Sequence, residues 1–453
     1  MKGVIVNSPL FREENSQYNE DSLPPLGLGY IASYLKKNNI AVELIDAVCS
    51  RISLNDLINI INEQQPEFIA TNIFSTNYEL VKEFVESINF KTHIIIGGLA
   101  TKELYSEISD WSTSNQIDIV IGDGELITLD IINNKLKETP FYNCTSRRVF
   151  KINDKSAYFN NDISDLSLNR TFFKNEPVEL PNGFIEANIV TSRGCIYNCT
   201  FCAAARIQNL EFPIRERSVA SIINELNEIK SDYPQTNSIR ILDDLFLKTK
   251  NNVINAIDIF SKFDFQWRAM ANIKTFNQIN PAETLGLKES GCSELFFGLE
   301  SGSPKILSSI KKAINREVII KNLTQLFKAN INVKGYFIFG FPNETIEDMT
   351  LTYNLAYDIK NLSLKYGANF RTSVFQFRPY HGAEIFKELI NKNKAIEPIR
   401  PNKELSNIIG RHQFNFHGEN YSEACLDEIH SYICMTNKLN ESNYSSENGL
   451  KIS

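Results

Sequence analysis

Short, almost unbroken apolar runs alternate along this chain with segments whose apolar residues recur at helical spacing, and the alternation runs through twice. In the first pass, residues 3–7, 41–46, 68–74, 93–96 and 117–121 read as strands. Between them Leu28, Ile31, Ala32 and Leu35, then Leu80, Val81, Phe84, Val85 and Ile88, fall on single helical faces. A strand that is apolar on both faces has to be covered on both, which is the condition of a parallel sheet between helical layers. The fold class expected is therefore α/β, beginning with a doubly wound, Rossmann-like domain. The second pass begins near Glu186, with strands at 187–190, 238–243, 266–271, 294–299, 333–339 and 371–380. Helical patterns at 219–229, 253–260, 318–327 and 347–359 fall between them. Six such units predict a partial (β/α)6 barrel of TIM type, with a small helical C-terminal segment. At 453 residues the chain is long for one core. The division expected is 1–140, a connector at 141–184, the barrel at 185–385, and a helical segment at 386–453 whose tail is expected to be disordered.

Directly after the first barrel strand stands the run R-G-C-I-Y-N-C-T-F-C, which holds Cys195, Cys199 and Cys202. Three thiols within eight residues cannot lie on separate elements, so they converge on one object. Three thiolates fill three corners of a four-iron cluster and leave the fourth iron open to another ligand. A closed zinc site wants a fourth ligand close by, and no Cys or His follows within eighty residues.

This Cys-x3-Cys-x2-Cys spacing, with Phe201 before the last cysteine, resembles the radical S-adenosylmethionine (radical SAM) enzymes. The resemblance implies a 4Fe-4S cluster whose open iron is chelated by S-adenosylmethionine, and reductive cleavage of that molecule to a 5′-deoxyadenosyl radical. It also implies an external one-electron reductant of flavodoxin or ferredoxin type. In barrels, chemistry belongs at the carboxyl ends of the strands. Asp243 and Asp244 stand where the family places acidic groups near the methionine amino group, although paired acids there also serve as helix caps. Glu300 and Ser301, in F-F-G-L-E-S-G-S, match its ribose-contacting position. Ile338 and Gly340, in G-Y-F-I-F-G-F-P-N-E, match a segment beside adenine, with Tyr336 and Asn343 in place of the family's outer glycines. Glu344 in the same run opens a helix, where a carboxylate is favourable in any case. Two catalytic candidates come from the residues themselves. Arg268 lies inside the barrel and must pair with an acid or a substrate carboxylate. His381 stands at the lip of the sixth strand, as a proton donor, a substrate contact or an ordinary loop residue.

In the first domain the turn residues gather at the carboxyl ends of the strands: Pro24-Pro25-Leu26-Gly27, Ser75-Thr76-Asn77, Gly97-Gly98 and Gly122-Asp123-Gly124-Glu125. Open α/β sheets bind ligands at that edge. Ahead of a radical SAM barrel these turns look like a cobalamin-binding domain, which makes Gly97, Gly98, Gly122, Gly124 and Glu125 candidate cofactor contacts. The Asp-x-His-x-x-Gly that ligates cobalt in free-standing cobalamin domains is missing, and the one histidine before His381 is His93, at the far edge of the sheet. Cobalamin is expected here without a histidine ligand.

The bulk numbers remove several other classes. The formal net charge is −7 and no Lys/Arg block stands out, which argues against a nucleic-acid partner. No apolar run approaches the ~18 residues of a membrane span, and no signal peptide is apparent, so a cytoplasmic protein is expected. Eight scattered cysteines do not form a disulfide framework. A transfer-RNA methylthiotransferase needs three further cysteines in the first domain, where only Cys49 and Cys144 precede the triad. Two enzyme readings remain: a cobalamin-dependent methyltransferase acting on an unactivated carbon of a small molecule or peptide, and a radical cyclisation, rearrangement, dehydration or epimerisation without methyl transfer. A non-catalytic iron–sulfur or zinc module is the third.

Overall fold

Alternate side chains of a strand point to opposite faces, and the first sheet shows what that does to a continuous apolar run. Val4, Val6 and Ile69 lie in a core on one face, whereas Ile5, Phe68 and Ala70 lie in another core on the opposite face. The computed structural model describes residues 2–10, 23–180, 183–392, 400–401, 416–417 and 420–441. Its first sheet contains β1 (Lys2–Asn7), β2 (Ala41–Asp46), β3 (Phe68–Asn72), β4 (His93–Gly97) and β5 (Gln116–Gly122), parallel and in the order β2-β1-β3-β4-β5. Helices α1 (Leu26–Lys37), α2 (Leu54–Gln64), α3 (Tyr78–Glu86), α4 (Thr101–Ser109) and α5 (Glu125–Ile132) make the crossovers. The segment read as the start of the connector adds two more strands, β6 (Tyr142–Cys144), which is antiparallel, and β7 (Arg147–Ile152), which pairs parallel to β5. Three-residue β6 is exposed throughout, so it carries no apolar signal.

The second sheet opens with the two-residue β8 (Val178–Glu179), antiparallel to β9 (Ile185–Ile189). The hairpin β10 (Ser192–Arg193) and β11 (Arg215–Glu216) then encloses the cysteine loop. After α6 (Val219–Asp232) come β12 (Ser238–Ile241), α7 (Lys250–Phe260), β13 (Gln266–Ala271), α8 (Pro281–Glu289) and β14 (Cys292–Glu300). The short α9 (Pro304–Ser309) and α10 (Arg316–Lys328) lead to β15 (Asn332–Phe339), α11 (Ile346–Lys365), β16 (Phe370–Gln376) and α12 (Glu384–Asn391). Strands β9, β12, β13, β14, β15 and β16 are parallel neighbours in that order, the six units of the partial barrel. The last strand stops at Gln376, ahead of the expected 380, because Pro379 has no N–H to continue a ladder.

Local chemistry sets the helix starts. Thr249 with Asn252, Asn280 with Glu283 and Thr345 with Asp348 form reciprocal capping boxes at α7, α8 and α11. The C-terminal helix α13 (Leu426–Lys438) lays Ile429, Tyr432 and Ile433 into the barrel core, and Thr372 Oγ1 on β16 donates to Thr436 O (3.0 Å). The expected disordered tail falls largely outside the described residues. Among those described, no helix is long and apolar enough to cross a membrane.

The two sheets meet through a small apolar core: Leu26 and Tyr30 of α1 with Ile163, Leu166 and Phe173 of the linking segment, against Val190 and Leu242 of the barrel. The linker is held by buried Arg170, which donates to Glu225 (2.7 Å) and lies 3.4 Å from Glu176. This arrangement brings the carboxyl edges of both sheets to one cleft.

Candidate functional site

That cleft contains three cavities, of about 470, 270 and 780 Å³, and all three are lined by Asp244. The smallest touches Cys195, and the largest touches Phe201 and Cys202. Across the largest cavity, Phe74, Ser75 and Leu99 of the first domain face Tyr336, Ile338, Phe375, Phe377, Tyr380 and His381 of the barrel.

The cysteine loop is pinned at both ends. Gly194, at φ +95°, turns the chain out of β10, and its N–H donates to Asp244 Oδ2 (3.0 Å). Thr200 N–H donates to Ile310 O (3.2 Å), and Thr200 O accepts from Ile385 N–H (3.0 Å), which ties the loop to two other strand exits. Burial pushes all three thiols above their ordinary range, Cys202 up to about 12. Thiolates at this place need compensating positive charge, and a metal cluster supplies it. Lys312 contributes more: its buried ammonium donates to Glu300 Oε1 (2.7 Å) and opposes the rise at Cys195 and Cys199. Among the described residues no three His, Cys, Asp or Glu side chains gather for a single metal ion. Three cysteines on one loop supply three of the four corners of a four-iron cluster.

The paired acids after β12 have different tasks. Asp243 is buried and accepts from Thr191 N–H (2.7 Å), Thr191 Oγ1 (2.6 Å) and Ser192 Oγ (2.7 Å). It holds the entrance of the loop, and burial raises its carboxyl. Asp244 is the member that faces the cleft. At the end of β14 a register shift and φ +61° at Glu300 turn that carboxylate toward the cysteine loop. Ser301, by contrast, is fully buried against Thr352 Oγ1 (2.8 Å) and braces the turn. Ile338 and Tyr336 line the large cavity. Gly340 does not, but its φ of +89° and its N–H to Glu344 Oε2 (2.5 Å) shape the turn below. Asn343 takes φ +61°, the left-handed conformation that an asparagine tolerates where the family has glycine.

The glycines at the carboxyl ends of β4 and β5 line the 470 Å³ cavity: Gly97, Gly98, Gly122 and Gly124. A Cβ on Gly97 would meet no protein atom closer than 3.9 Å, so the missing side chain leaves open space in the cavity wall. At Gly98, φ +109° and a carbonyl 2.6 Å from any Cβ exclude other residues outright. A broad group can therefore lie close to this backbone, which is the fit that cobalamin requires. Glu125 also lines the cavity, but its carboxylate is taken by Arg193 of the cysteine loop (2.6 Å). Asp123 pairs with the same arginine (2.9 Å) and with Arg215. The turn between β5 and α5 is thus bonded to both strands that enclose the triad.

The two catalytic candidates part company. Arg268 is third in its strand and binds Glu186 through two nitrogens (2.6 Å each), with Glu294 3.8 Å away. Glu186 and Glu294 sit early in β9 and β14, so the structure places Arg268 toward the amino end of the barrel, away from the triad. His381 lines the large cavity. Its ring packs on Phe386, with centroids 4.5 Å apart, and its Nδ1 lies 2.9 Å from Ser75 Oγ. Ser75 Oγ also accepts from His381 N–H (3.1 Å), and in the tautomer protonated at Nε2 the serine hydroxyl donates to Nδ1. Burial lowers the pKa of His381 and favours the neutral ring. Lys312, Arg193 and Arg215 were missed in the sequence, because isolated basic residues at those spacings form no motif. Arg378, a buried guanidinium on the wall of the large cavity, was missed for the same reason.

Comparison with known proteins follows the same division. Residues 189–356 match the Radical SAM superfamily, and residues 20–132 match the B12 binding domain. An uncharacterized methyltransferase of Pyrococcus horikoshii is 28% identical over 396 residues, covering 82% of this chain and 79% of the relative. The cobalamin-dependent S-adenosylmethionine radical enzyme OxsB, solved with aqua-cobalamin and S-adenosylmethionine, superposes with a TM-score of 0.63 at 17% identity. That match covers 92% of this chain but 64% of OxsB, so the chain spans somewhat less than two thirds of that structure. The radical S-adenosylmethionine methyltransferase TsrM of Kitasatospora setae gives 0.62 at 14% identity, over 89% of this chain and 78% of TsrM. At such identities the structures establish a shared fold.

Proposed function

From the premise that this chain belongs to the radical SAM superfamily and carries a B12-binding domain, we propose that it is a cobalamin-dependent methyltransferase acting on an unactivated carbon of a small molecule or peptide. Its cofactors are a 4Fe-4S cluster, S-adenosylmethionine and cobalamin. The observation that carries the reading is the shared cleft, where one 780 Å³ cavity touches both Cys202 and the first sheet's loops at Phe74, Ser75 and Leu99. The Pyrococcus relative, named as a methyltransferase, supports methyl transfer as the outcome.

When bound, the cluster with S-adenosylmethionine supplies a primary carbon radical, and cobalamin supplies a methyl carrier. The chain's own residues do the rest. Cys195, Cys199 and Cys202 would hold three corners of the cluster, and the Lys312 ammonium would offset their negative charge. Asp244, open to the cleft, would accept hydrogen bonds from the ammonium of S-adenosylmethionine, and Glu300 would take ribose hydroxyls. Gly97, Gly98, Gly122 and Gly124 would admit a large flat group against the backbone. Phe74, Leu99, Phe201, Tyr336 and Phe377 would keep water from the reacting carbon, because a radical is protected only by exclusion and positioning. His381, held by Ser75, would present Nε2–H to the substrate. An external one-electron donor must reduce the cluster.

The test is anaerobic reconstitution of the full chain, followed by iron, sulfide and corrinoid assays. Incubation with S-adenosylmethionine labelled on its methyl group and a reductant should yield 5′-deoxyadenosine. Label should appear on bound corrinoid and then on the product of an added substrate library. Formation of 5′-deoxyadenosine with no corrinoid bound would sink the methyltransferase reading and leave radical chemistry without methyl transfer.

A further inference from the structure

We propose that the outer face of the cysteine loop is a docking surface for an acidic protein that carries a low-potential one-electron centre. The proposal rests on the cluster assigned above. Single exposed hydrophobes are ordinary, but here three share one loop: Ile196 is 38% exposed, Ile207 48% and Leu210 62%. Arg206 N–H donates to Tyr197 O (2.8 Å) and Ile207 N–H to Asn198 Oδ1 (2.7 Å), so the turn Arg206–Asn209 lies against the segment that begins at Ile196. Ile196 itself is the residue after Cys195. An electron entering at Ile196 arrives one residue from a cysteine of the triad.

The charges around the patch select the partner. Lys102 and Lys387 converge on Gln208, between Ile207 and Leu210, one on its backbone carbonyl and the other on its side-chain oxygen (3.5 Å). Glu211 is shared by Lys102 (3.2 Å) and Lys151 (2.5 Å), and Glu103 takes Lys387 (3.0 Å). Arg206 donates to the carbonyls of Asn209 and Phe212. Four cations thus stand with two acids, a positive spot on a chain whose net charge is −7. An apolar centre with a charged rim is the anatomy of a transient interface, and the sign of the rim steers an acidic partner toward it. The step moves one electron: the partner's reduced flavin or iron–sulfur centre is oxidised by one electron and the cluster is reduced by one, with no bond or proton changing place.

The experiment compares two reductants on the reconstituted full chain under anaerobic stopped flow: reduced flavodoxin, which must dock, and dithionite, which need not. The double variant I207E/L210E is expected to cut the flavodoxin-driven rate by about tenfold or more. Lys387→Glu should cut it by about threefold and weaken its salt dependence. Iron content and the dithionite-driven rate should stay at wild-type values. A flavodoxin rate unchanged in the variants overturns the proposal, and so does equal slowing by both reductants. Loss of self-association in sedimentation with a normal flavodoxin rate also overturns it, since the occupant would then be a second copy. Wild-type protein that takes up no iron overturns instead the enzyme reading on which the proposal depends.

Discussion

The two ends of the barrel are both charged, and they use charge in opposite ways. Toward the amino end, Arg268 grips Glu186 and Arg371 grips Glu294 (2.5 and 2.6 Å), each through two nitrogens and each across one intervening strand. Glu186 and Glu294 each hold an arginine at hydrogen-bond distance there. At the carboxyl end some charges are paired too, Lys312 with Glu300 and Arg193 with Glu125, but other polar groups on the cavity walls keep spare bonding capacity. Asp244 accepts one backbone N–H, and His381 is held by a single serine from the other domain. A buried ion pair satisfies itself and has little left for a ligand. A polar group placed at a cavity wall with spare hydrogen-bonding capacity is what a binding site requires. A charge inside the barrel is therefore not a sign of chemistry until its partner is known.

The comparison breaks most visibly if the ends are exchanged by mutation. Cys202→Ala should remove the cluster corner that faces the large cavity. Iron per chain should fall sharply and 5′-deoxyadenosine formation should drop below detection, with the unfolding midpoint of the apo protein little changed. Arg268→Met should do the reverse. It strands Glu186, whose side chain is 1% exposed, and should cost about 3–5 kcal/mol of stability in denaturant titration. Iron uptake per folded molecule should stay normal. Loss of iron uptake in a folded Arg268→Met protein would erase the distinction between the two ends.

How far the chain could be read beforehand follows from the same contrast. Five strands of the first sheet and six of the barrel were legible because a two-sided core writes long apolar runs. The triad stands out because its three cysteines are local in sequence. What escaped were pairings formed across the fold. Asp243 and Asp244 are adjacent in sequence, and only the twist leaving β12 decides which braces Thr191 and which faces the cleft. Lys312 stands twelve residues past Glu300, beyond a short helix, and no periodicity announces that the two will meet. Strands β6 and β8 are too short or too polar to leave a pattern. For Arg268 the sequence leaves open an acid or a substrate carboxylate, and the partner in the fold is Glu186, eighty-two residues earlier.

Just beyond the end of β15 lies a polar group whose state depends on pH. Glu344 is fully buried, and burial lifts its carboxyl from 4.5 to about 8, although two backbone N–H groups favour the charged form. The folded state then binds a proton that the unfolded state has already released, so this group's contribution to stability falls as pH rises from about 4.5 to about 8. Glu344→Gln keeps an acceptor for Gly340 and Phe341 and cannot ionise. Its unfolding free energy should be flatter across that range than the wild type's, and the two curves should diverge most near pH 8. An identical pH slope in both proteins would mean that Glu344 stays ionised in the fold and belongs with the paired charges of the other end.

The smallest effect tests the finest part of the comparison, the single serine that holds His381. Removing one hydrogen bond of this type is worth about 1 kcal/mol, or about fivefold in rate if the bond matters in the transition state. Ser75→Ala frees Nδ1 and the histidine backbone N–H while leaving the triad, Asp244 and the glycine turns in place. If His381 presents Nε2–H to the substrate, product formation per turnover of S-adenosylmethionine should fall by about fivefold. Cleavage to 5′-deoxyadenosine should stay at wild-type rate, because the cluster side of the cavity is untouched. Ser75→Thr, which keeps the hydroxyl, should recover most of the loss. A fall in both products together would show that Ser75 holds the two domains at their working distance, and His381 would then join Arg268 as a residue whose bonds serve the fold.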